Sequence, residues 1–389
     1  MNKRLLRAET PRAYLFMIQA GPTYAAENLE PLCRVLSQEF TGELWSYGSY
    51  EADVELGRIR LRVVKDWSSL PALNFINFAR RVARRAFELR TSRQGQIVVT
   101  SYDPFKGGLL ALWAARLLHA VFVCEVNGVY GEPDNFAHIG FVPWRKFRLL
   151  QTYLLGSFVL RRADAVRLLF AGQLKKFVSL RPRTLVRQFF AFTHTDRFYP
   201  GAEEPIILAA GFPFKIKGVD VLIKAFQQIA AKYPTWRLVL IGHEIPQELS
   251  VRGIDSPQIV ALPGLLQSEL AEWTSRCAVL ALVSRSEAMG RVLLEGAAAG
   301  KCRIATKVGG IPTIVEDGID GILVQKENVG ELAAALERLI NDTALRQRLG
   351  SAAKLRVEQH FSASAYLAHF GELIDSALQA FAPAPKPIP

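Results

Sequence analysis

Cysteine is scarce in this chain. Its 389 residues include four, Cys33, Cys124, Cys277 and Cys302. None stands in a C-x-x-C pair, which excludes the common zinc and thioredoxin-like arrangements. So sparse a set suits a reducing cytoplasm rather than a disulfide scaffold. No stretch offers the ~20 predominantly apolar residues that a membrane span needs. The longest candidate, residues 109–126, is interrupted by Arg116 and His119 and turns β-branched near Val121, so it reads as a helix followed by a strand. The basic start, residues 1–9, leads into no apolar core of signal-peptide length with a cleavage site. The finger spacings and aromatic-glycine signatures of nucleic-acid binders are missing too.

Acidic residues are short in one half only. Residues 1–198 hold 29 Lys and Arg against 16 Asp and Glu, a balance of +13, which leaves −1 for the remainder of a chain of net charge +12. Such an excess points to a large anionic partner for the first half, either nucleic acid or an acidic membrane surface. Two stretches concentrate it. In residues 73–93, Phe75, Ile76, Phe78, Val82 and Phe87 are interleaved with Arg80, Arg81, Arg84, Arg85 and Arg90 on a helical period. Arg80/Arg84 and Arg81/Arg85 are like charges four apart, each costing roughly 0.2–0.5 kcal/mol unless an anion neutralises them. This helix either lies on an acidic membrane or is an outer helix with a solvated arginine face. Residues 141–162 set Trp144-Arg145-Lys146-Phe147-Arg148 ahead of an apolar dozen and Arg161-Arg162. Twelve apolar residues are too few to span a membrane, and core packing is the expected role, with an interfacial position as the alternative.

Half the residues are hydrophobic, so the chain is globular, and its length allows two or three domains. Short apolar runs alternate with helical stretches. Residues 13–20, 43–47, 59–64 and 96–101 read as strands in the first half, with a turn at Gly21-Pro22 and a helix over 25–38. Residues 205–210, 237–242, 259–264 and 278–283 follow in the second half, with a helix over 219–233. The alternation predicts doubly wound parallel sheets.

The most informative stretch is residues 284–300, SRSEAMGRVLLEGAAAG. It follows the apolar strand 278–283, and 292–299 reads as a helix stopped by Gly300. Glu287 therefore lies in the loop, and Glu295, eight positions on, about two turns inside the helix. Loops at the carboxyl ends of parallel strands hold ligands, and helix N-termini attract anions, phosphate above all. Glu287 either accepts hydrogen bonds from a polyhydroxylated ligand or caps the helix. Glu295 sits among Val292-Leu293-Leu294 and Ala297-Ala298-Ala299, a setting ill-suited to a purely solvated carboxylate. Lys217, in the turn after 205–210, can meet a diphosphate as a point charge or remain a solvated loop lysine.

Residues 284–301, with Thr306-Lys307-Val308-Gly309-Gly310-Ile311-Pro312 and Val315-Glu316-Asp317-Gly318-Ile319-Asp320-Gly321, closely resemble the E-x7-E region of the retaining glycosyltransferase family four (glycosyl transferases group 1). The resemblance is strong over residues 205–362 and covers the first half in outline. It implies an α/β GT-B fold, two Rossmann-like doubly wound parallel-sheet domains facing a cleft. Residues 1–198 would be the basic acceptor-side domain, 199–360 the nucleotide-sugar domain, 361–381 a helix crossing back to the first domain, and the proline-rich 382–389 a disordered tail. The implied reaction moves a sugar, with retention, from a nucleotide-diphosphate sugar to a glycan or lipid-linked acceptor, in cell-surface polysaccharide, lipopolysaccharide or glycolipid synthesis.

Carried over residue by residue, the resemblance has Glu287 orient the sugar with the backbone of Met289 and Gly290, and Glu295 grip the ribose. Lys217 and the N–H groups near Gly290 and Arg291 stabilise the leaving diphosphate. Gly211, Lys215 and Val292 complete the donor side, Leu265 falls where relatives place the nucleobase, and Gly21 is the one glycine left of a phosphate-facing pair. Asn127 stands near the place of a histidine that faces the donor sugar; it can bond a hydroxyl but cannot act as a general base. Phe212 stands where many relatives have an arginine, which makes Lys215 the compensating cation. No metal or other cofactor is implied, because side chains and dipoles carry the phosphates and no D-x-D motif is present.

The expected protein is thus a cytoplasmic enzyme, peripheral on the inner face of the membrane, that reaches an anionic surface through its first domain and binds no nucleic acid. Three other classes stay open: a GT-B phosphorylase or epimerase, a catalytically dead homologue suggested by Phe212 and Asn127, and a nucleic-acid binder suggested by charge alone.

Overall fold

The computed structural model describes residues 11–23, 29–92, 95–130, 142–175 and 177–381. The basic start and the tail at 382–389 lie outside them. The chain divides into two compact units. The first comprises Met1–Gly128, Leu150–Phe192 and Tyr366–Pro389, and the second Val129–Leu149 and Thr193–Ala365.

In the first unit the chain runs β1 (Tyr14–Thr23), α1 (Glu30–Leu36), β2 (Thr41–Gly48), β3 (Ala52–Leu56), β4 (Ile59–Lys65), α2 (Pro71–Thr91), β5 (Ile97–Ser101), α3 (Lys106–Leu118) and β6 (Val121–Glu125). Helix α4 (Val142–Leu160), which groups with this unit from Leu150 onward and with the second unit before it, leads to β7 (Ala165–Leu168) and β8 (Leu185–Gln188). One sheet of order β3-β4-β2-β1-β5-β6-β7-β8 results, parallel except for the β3/β4 edge pair. β6 is buried along its whole length, as a parallel strand covered on both faces must be. The apolar run 109–126 resolves into α3 and β6, parted at His119, whose left-handed backbone (φ 52°) ends the helix.

Two local expectations change. Gly21 and Pro22 form no turn. β1 slips register between Ile18 and Pro22 and continues, pairing Pro22 with Tyr47 and Thr23 with Gly48. Helix α1 has seven residues rather than the fourteen of 25–38, and residues 24–28 lie outside the described part.

Three of the five arginines of α2 are answered from within the unit. Arg85 donates to Glu43 at 2.8 and 2.5 Å and to Glu88 at 3.0 Å. Arg81 pairs with Glu51 at 3.2 Å, and Arg84 lies 3.5 Å from Glu88. The anions that the like-charge pairs require are thus glutamates of this chain. Burial raises the Glu43 pKa, but donors from Arg85, Trp45 and Tyr14 outweigh it and hold this carboxyl below its usual range. Helix α4 departs from its expected core role: one side is buried at Gly156, Val159 and Leu160, and the other exposes Phe147, Leu150, Leu154 and Phe158.

The second unit runs β9 (Glu204–Ala210), α5 (Val219–Ile229), β10 (Arg237–Ile241), α6 (Ile245–Val251), β11 (Ile259–Leu262), α7 (Gln267–Arg276), β12 (Cys277–Leu282) and α8 (Arg291–Ala298). It continues through β13 (Cys302–Thr306), α9 (Ile311–Ile314), β14 (Ile322–Val324), α10 (Val329–Asn341) and α11 (Thr343–His360). Its sheet, β11-β10-β9-β12-β13-β14, is parallel throughout. The last helix, α12 (Ala363–Phe381), groups with the first unit from Tyr366 onward. There Phe370 meets Phe40 edge-on at 5.8 Å, and Arg12 reaches Asp375 at 2.6 Å. No helix among the described residues is long and apolar enough to cross a membrane.

A buried charge fixes α8 from below. Arg303, on β13, is fully buried and donates to Asp320 Oδ1 at 2.6 Å, to the carbonyls of Asp320 (2.9 Å) and Ile314 (3.2 Å), and to Leu293 O of α8 at 3.4 Å. Removing one partner of such a pair strands the other charge away from water. Asp320→Ala should therefore cost about 3–5 kcal/mol of stability, read as a fall in the denaturant midpoint of the second unit. A loss below about 1 kcal/mol would mean that water reaches Arg303.

Candidate functional site

β9 and β12 are neighbours, with Ile207 opposite Val279 and Leu208 opposite Leu280. Being parallel, they open at the same end, and the loops 211–218 and 283–290 leave the sheet side by side. Loop 211–218 is a tight turn anchored by buried Phe214. Lys217 N–H bonds Pro213 O at 3.0 Å, and Gly218 N–H bonds Lys215 O at 3.1 Å. Gly218 opens α5 in the left-handed region (φ 65°), where a Cβ would sit 2.1 Å from Val283 O. Only glycine lets the two loops touch there.

Arg285 fastens loop to loop. Its N–H donates to Ile216 O at 2.8 Å, and its guanidinium donates to Lys215 O at 2.5 Å, to Asp220 at 2.7 and 3.1 Å, and to Glu327. The outcome is a direct contact between two of the expected site residues. Lys217 Nζ donates to Glu287 Oε2 at 2.6 Å, and Ser284 Oγ reaches the same oxygen at 3.3 Å. The lysine and glutamate side chains keep 22% and 12% of their surface, so a ligand can still reach the pair. The loop after β13 props it up. Thr306 Oγ1 donates to Ser284 O at 2.6 Å, and Gly310 N–H to Glu287 O at 3.3 Å. Gly309 comes so close that a Cβ would lie 1.8 Å from Glu287 O.

Glu287 continues through buried Met289 and Gly290 into α8, whose N-terminus no side chain caps. First-turn N–H groups have no acceptor within their helix and mark its positive end. Arg291 is exposed at the first helical position and Val292 is half-buried. Glu295 follows one turn later at 8% exposure. No donor among the described residues bonds its carboxylate, and burial pushes its pKa up, with Arg291 pulling the other way. A buried acceptor with no donor among the described residues, one turn from an uncapped helix N-terminus, suits a ligand that carries both a diol and a phosphate.

The remaining expected donor residues lie around the same end of the sheet. Gly211 makes room for the Lys217 stem, since a Cβ there would be 3.2 Å from Lys217 Cε. Lys215 stays largely exposed, 3.9 Å from Asp220. Phe212 is half exposed and meets His243 edge-to-face at 5.6 Å. His243 packs on Gly264, where a Cβ would be 2.3 Å from the imidazole, and half-buried Leu265 comes next. Neither His243 nor Asp220 carries a motif; strand order brings His243 here, whereas Asp220 follows Lys217 at the start of α5. Arg285 lies inside the informative stretch, and a charge between two serines was a signal that could have marked it.

Asn127 and Gly21 belong to the first unit. Asn127 follows β6 with its amide engaged: Nδ2 donates to Tyr102 O at 2.8 Å, and Oδ1 accepts from buried Arg167, itself bound to Glu125 at 2.9 and 2.5 Å. Both arms of the amide are thus held by protein partners. Gly21 lies within the irregular part of β1.

Residues 204–342 match the family described as Glycosyl transferases group 1. A D-inositol 3-phosphate glycosyltransferase of Nocardioides sp. is 32% identical over 167 residues, 38% of this chain and 36% of that protein. Another of that description, from Streptomyces bingchenggensis, is 42% identical over 171 residues, 40% of this chain and 37% of that protein. The chain thus spans little more than a third of the length of these curated relatives. Solved structures match along nearly all of it. HepE of Anabaena, in complex with UDP and glucose, has a TM-score of 0.69 at 17% identity and 94% and 99% coverage of the two chains. The sucrose-phosphate synthase of Thermosynechococcus elongatus reaches 0.71 at 18% identity, with 95% and 100% covered. WaaG, a glycosyltransferase involved in lipopolysaccharide biosynthesis, reaches 0.64 at 16%, with 95% and 100% covered. The chain therefore has the GT-B fold, and its second unit carries a domain of the glycosyl transferases group 1.

Proposed function

We propose that this protein is a retaining glycosyltransferase of family four, moving a sugar from a nucleoside diphosphate sugar to a glycan or lipid-linked acceptor. The observation that carries the reading is the Lys217–Glu287 pair at the uncapped start of α8. In the empty site each charge answers the other. A bound diphosphate takes over the ammonium and the first-turn N–H groups, which frees Glu287 to accept hydrogen bonds from sugar hydroxyls. Negative charge grows on the diphosphate as the glycosidic bond breaks, and these preorganised donors favour that state over the intact donor. In this reading no metal is needed for the phosphates. Glu295 accepts from the ribose diol, and Leu265 with Phe212 and His243 borders the base. The HepE complexes with UDP and with UDP-glucose support a nucleotide-sugar donor, and the involvement of WaaG in lipopolysaccharide biosynthesis supports a cell-surface product. The +13 first half supports a place at the anionic cytoplasmic face of a membrane.

Lys217→Ala should lower donor turnover by about 10²-fold or more, the scale of losing one preorganised donor to a developing anion. Turnover is read as nucleoside diphosphate release, and circular dichroism checks the fold. Wild-type rates in that variant would sink the assignment, and release of sugar 1-phosphate dependent on added phosphate would redirect it to a phosphorylase.

Glu295 adds a signed prediction. Its pKa in the fold is raised, so burying it costs nothing below the unfolded value of about 4.3 and destabilises as pH rises past it. Glu295→Gln should therefore raise the thermal midpoint at neutral pH, leave it unchanged near pH 4, and weaken protection by UDP. A lower midpoint at neutral pH would show that the carboxylate has a stabilising partner.

A further inference from the structure

We propose that α4 docks the protein on an anionic lipid surface through an apolar stripe of Phe147, Leu150, Leu154 and Phe158, with Trp144 at its head. This rests on the membrane-peripheral reading above and names the surface that performs it. The stripe follows i, i+3, i+7, i+11 and so runs along one side of the helix. Its members are 52%, 54%, 59% and 42% exposed, and Trp144 53%.

The opposite side of α4 is already committed. Gly156, Val159 and Leu160 are buried there, and a Cβ on Gly156 would stand 2.5 Å from the Phe177 ring. An outer helix of a water-soluble protein turns its polar side to solvent once its apolar side is packed. α4 packs one apolar side and turns a second outward, and an exposed apolar patch of this kind marks a docking surface.

Charge selects the occupant. α4 contains no acidic residue. Arg145 and Lys146 lie at one end of the stripe and Arg161 and Arg162 just past the other. Arg145, Lys146 and Arg161 have no carboxylate partner among the described residues. Arg162 stacks over the Phe158 ring at 3.7 Å and bonds Phe158 O at 3.1 Å, so its charge stays available. An apolar stripe with aromatic residues and unpaired cations at both ends fits the headgroup boundary of an anionic bilayer. A second copy fits poorly, because a two-fold contact would bring the same cations of both copies together. The helix is too short in apolar residues to span, so it lies in the interface. Helix α2, the other basic helix, is the weaker candidate, because Glu43, Glu51 and Glu88 already answer Arg81, Arg84 and Arg85.

Flotation of the full chain tests this. Vesicles of phosphatidylglycerol and phosphatidylcholine should carry the wild type, and vesicles of phosphatidylcholine alone should not. Phe147→Asp/Leu154→Asp should lower the bound fraction about tenfold or more, with thermal protection by UDP unchanged as the control for folding. Arg145→Gln/Lys146→Gln, which leaves the stripe intact, should also weaken flotation and reduce its salt dependence. Arg80→Gln/Arg84→Gln on α2 should float like the wild type. Three results overturn the proposal: flotation unchanged by the aspartates, flotation lost through the α2 substitutions instead, or a wild-type dimer in sedimentation that the aspartates dissociate. Absence of flotation with donor turnover intact overturns the docking alone. Flotation without turnover overturns the catalytic reading alone.

Discussion

The ammonium of Lys217 rests on the carboxylate of Glu287, and most of the second unit is arranged so that they can meet. The two residues are 70 positions apart. They touch because β9 and β12 are adjacent and parallel, which places both following loops at one end of the sheet. Adjacency alone is not enough. Gly218 lets one loop lie against the backbone of the other, and Arg285 bonds the two together and to Asp220. Gly309 brings a third loop up under Glu287. Each device is a close approach or a charge-assisted bond, and each narrows the positions open to the pair.

The same unit carries an acceptor that does not help it fold. Glu295 is buried on α8 without a donor among the described residues, and burial raises its pKa. Below α8 the helix is held by Arg303, whose charge is answered by Asp320 and three carbonyls. The two buried charges are treated differently. Arg303 makes four hydrogen bonds through its two terminal nitrogens, only its Nε going without, whereas no donor among the described residues bonds the Glu295 carboxylate. Unpaired polar groups persist in folded proteins where function requires them, at a cost in stability.

In residues 1–198, charge count and charge availability part company. The +13 excess is real, but on α2 much of it is spent on Glu43, Glu51 and Glu88. Fewer cations border α4, yet Arg145, Lys146 and Arg161 have no carboxylate partner among the described residues and flank an apolar face turned outward. What a basic segment can bind depends on which cations remain unanswered after folding.

The amino-acid sequence by itself determined the parallel α/β architecture, because apolar runs alternating with helical stretches leave few ways to bury both. The resemblance to the group 1 glycosyltransferases singled out Glu287, Glu295 and Lys217, for which composition and spacing alone left capping or solvated roles open. The helix-to-strand change after His119 was legible because the composition turns β-branched there. Only the tertiary structure decided the rest. His243 joins the site through strand order, which no local pattern encodes, and the bonds of Arg285 to Asp220 and Lys215 O depend on β9 and β12 being neighbours. Asn127 looked available and is held by Arg167 and Tyr102, contacts 40 and 25 residues away. The Gly21-Pro22 turn became strand because β2 offered it partners. The apolar dozen of residues 141–162 was legible, but which side of α4 faces water depends on what the neighbouring elements leave uncovered.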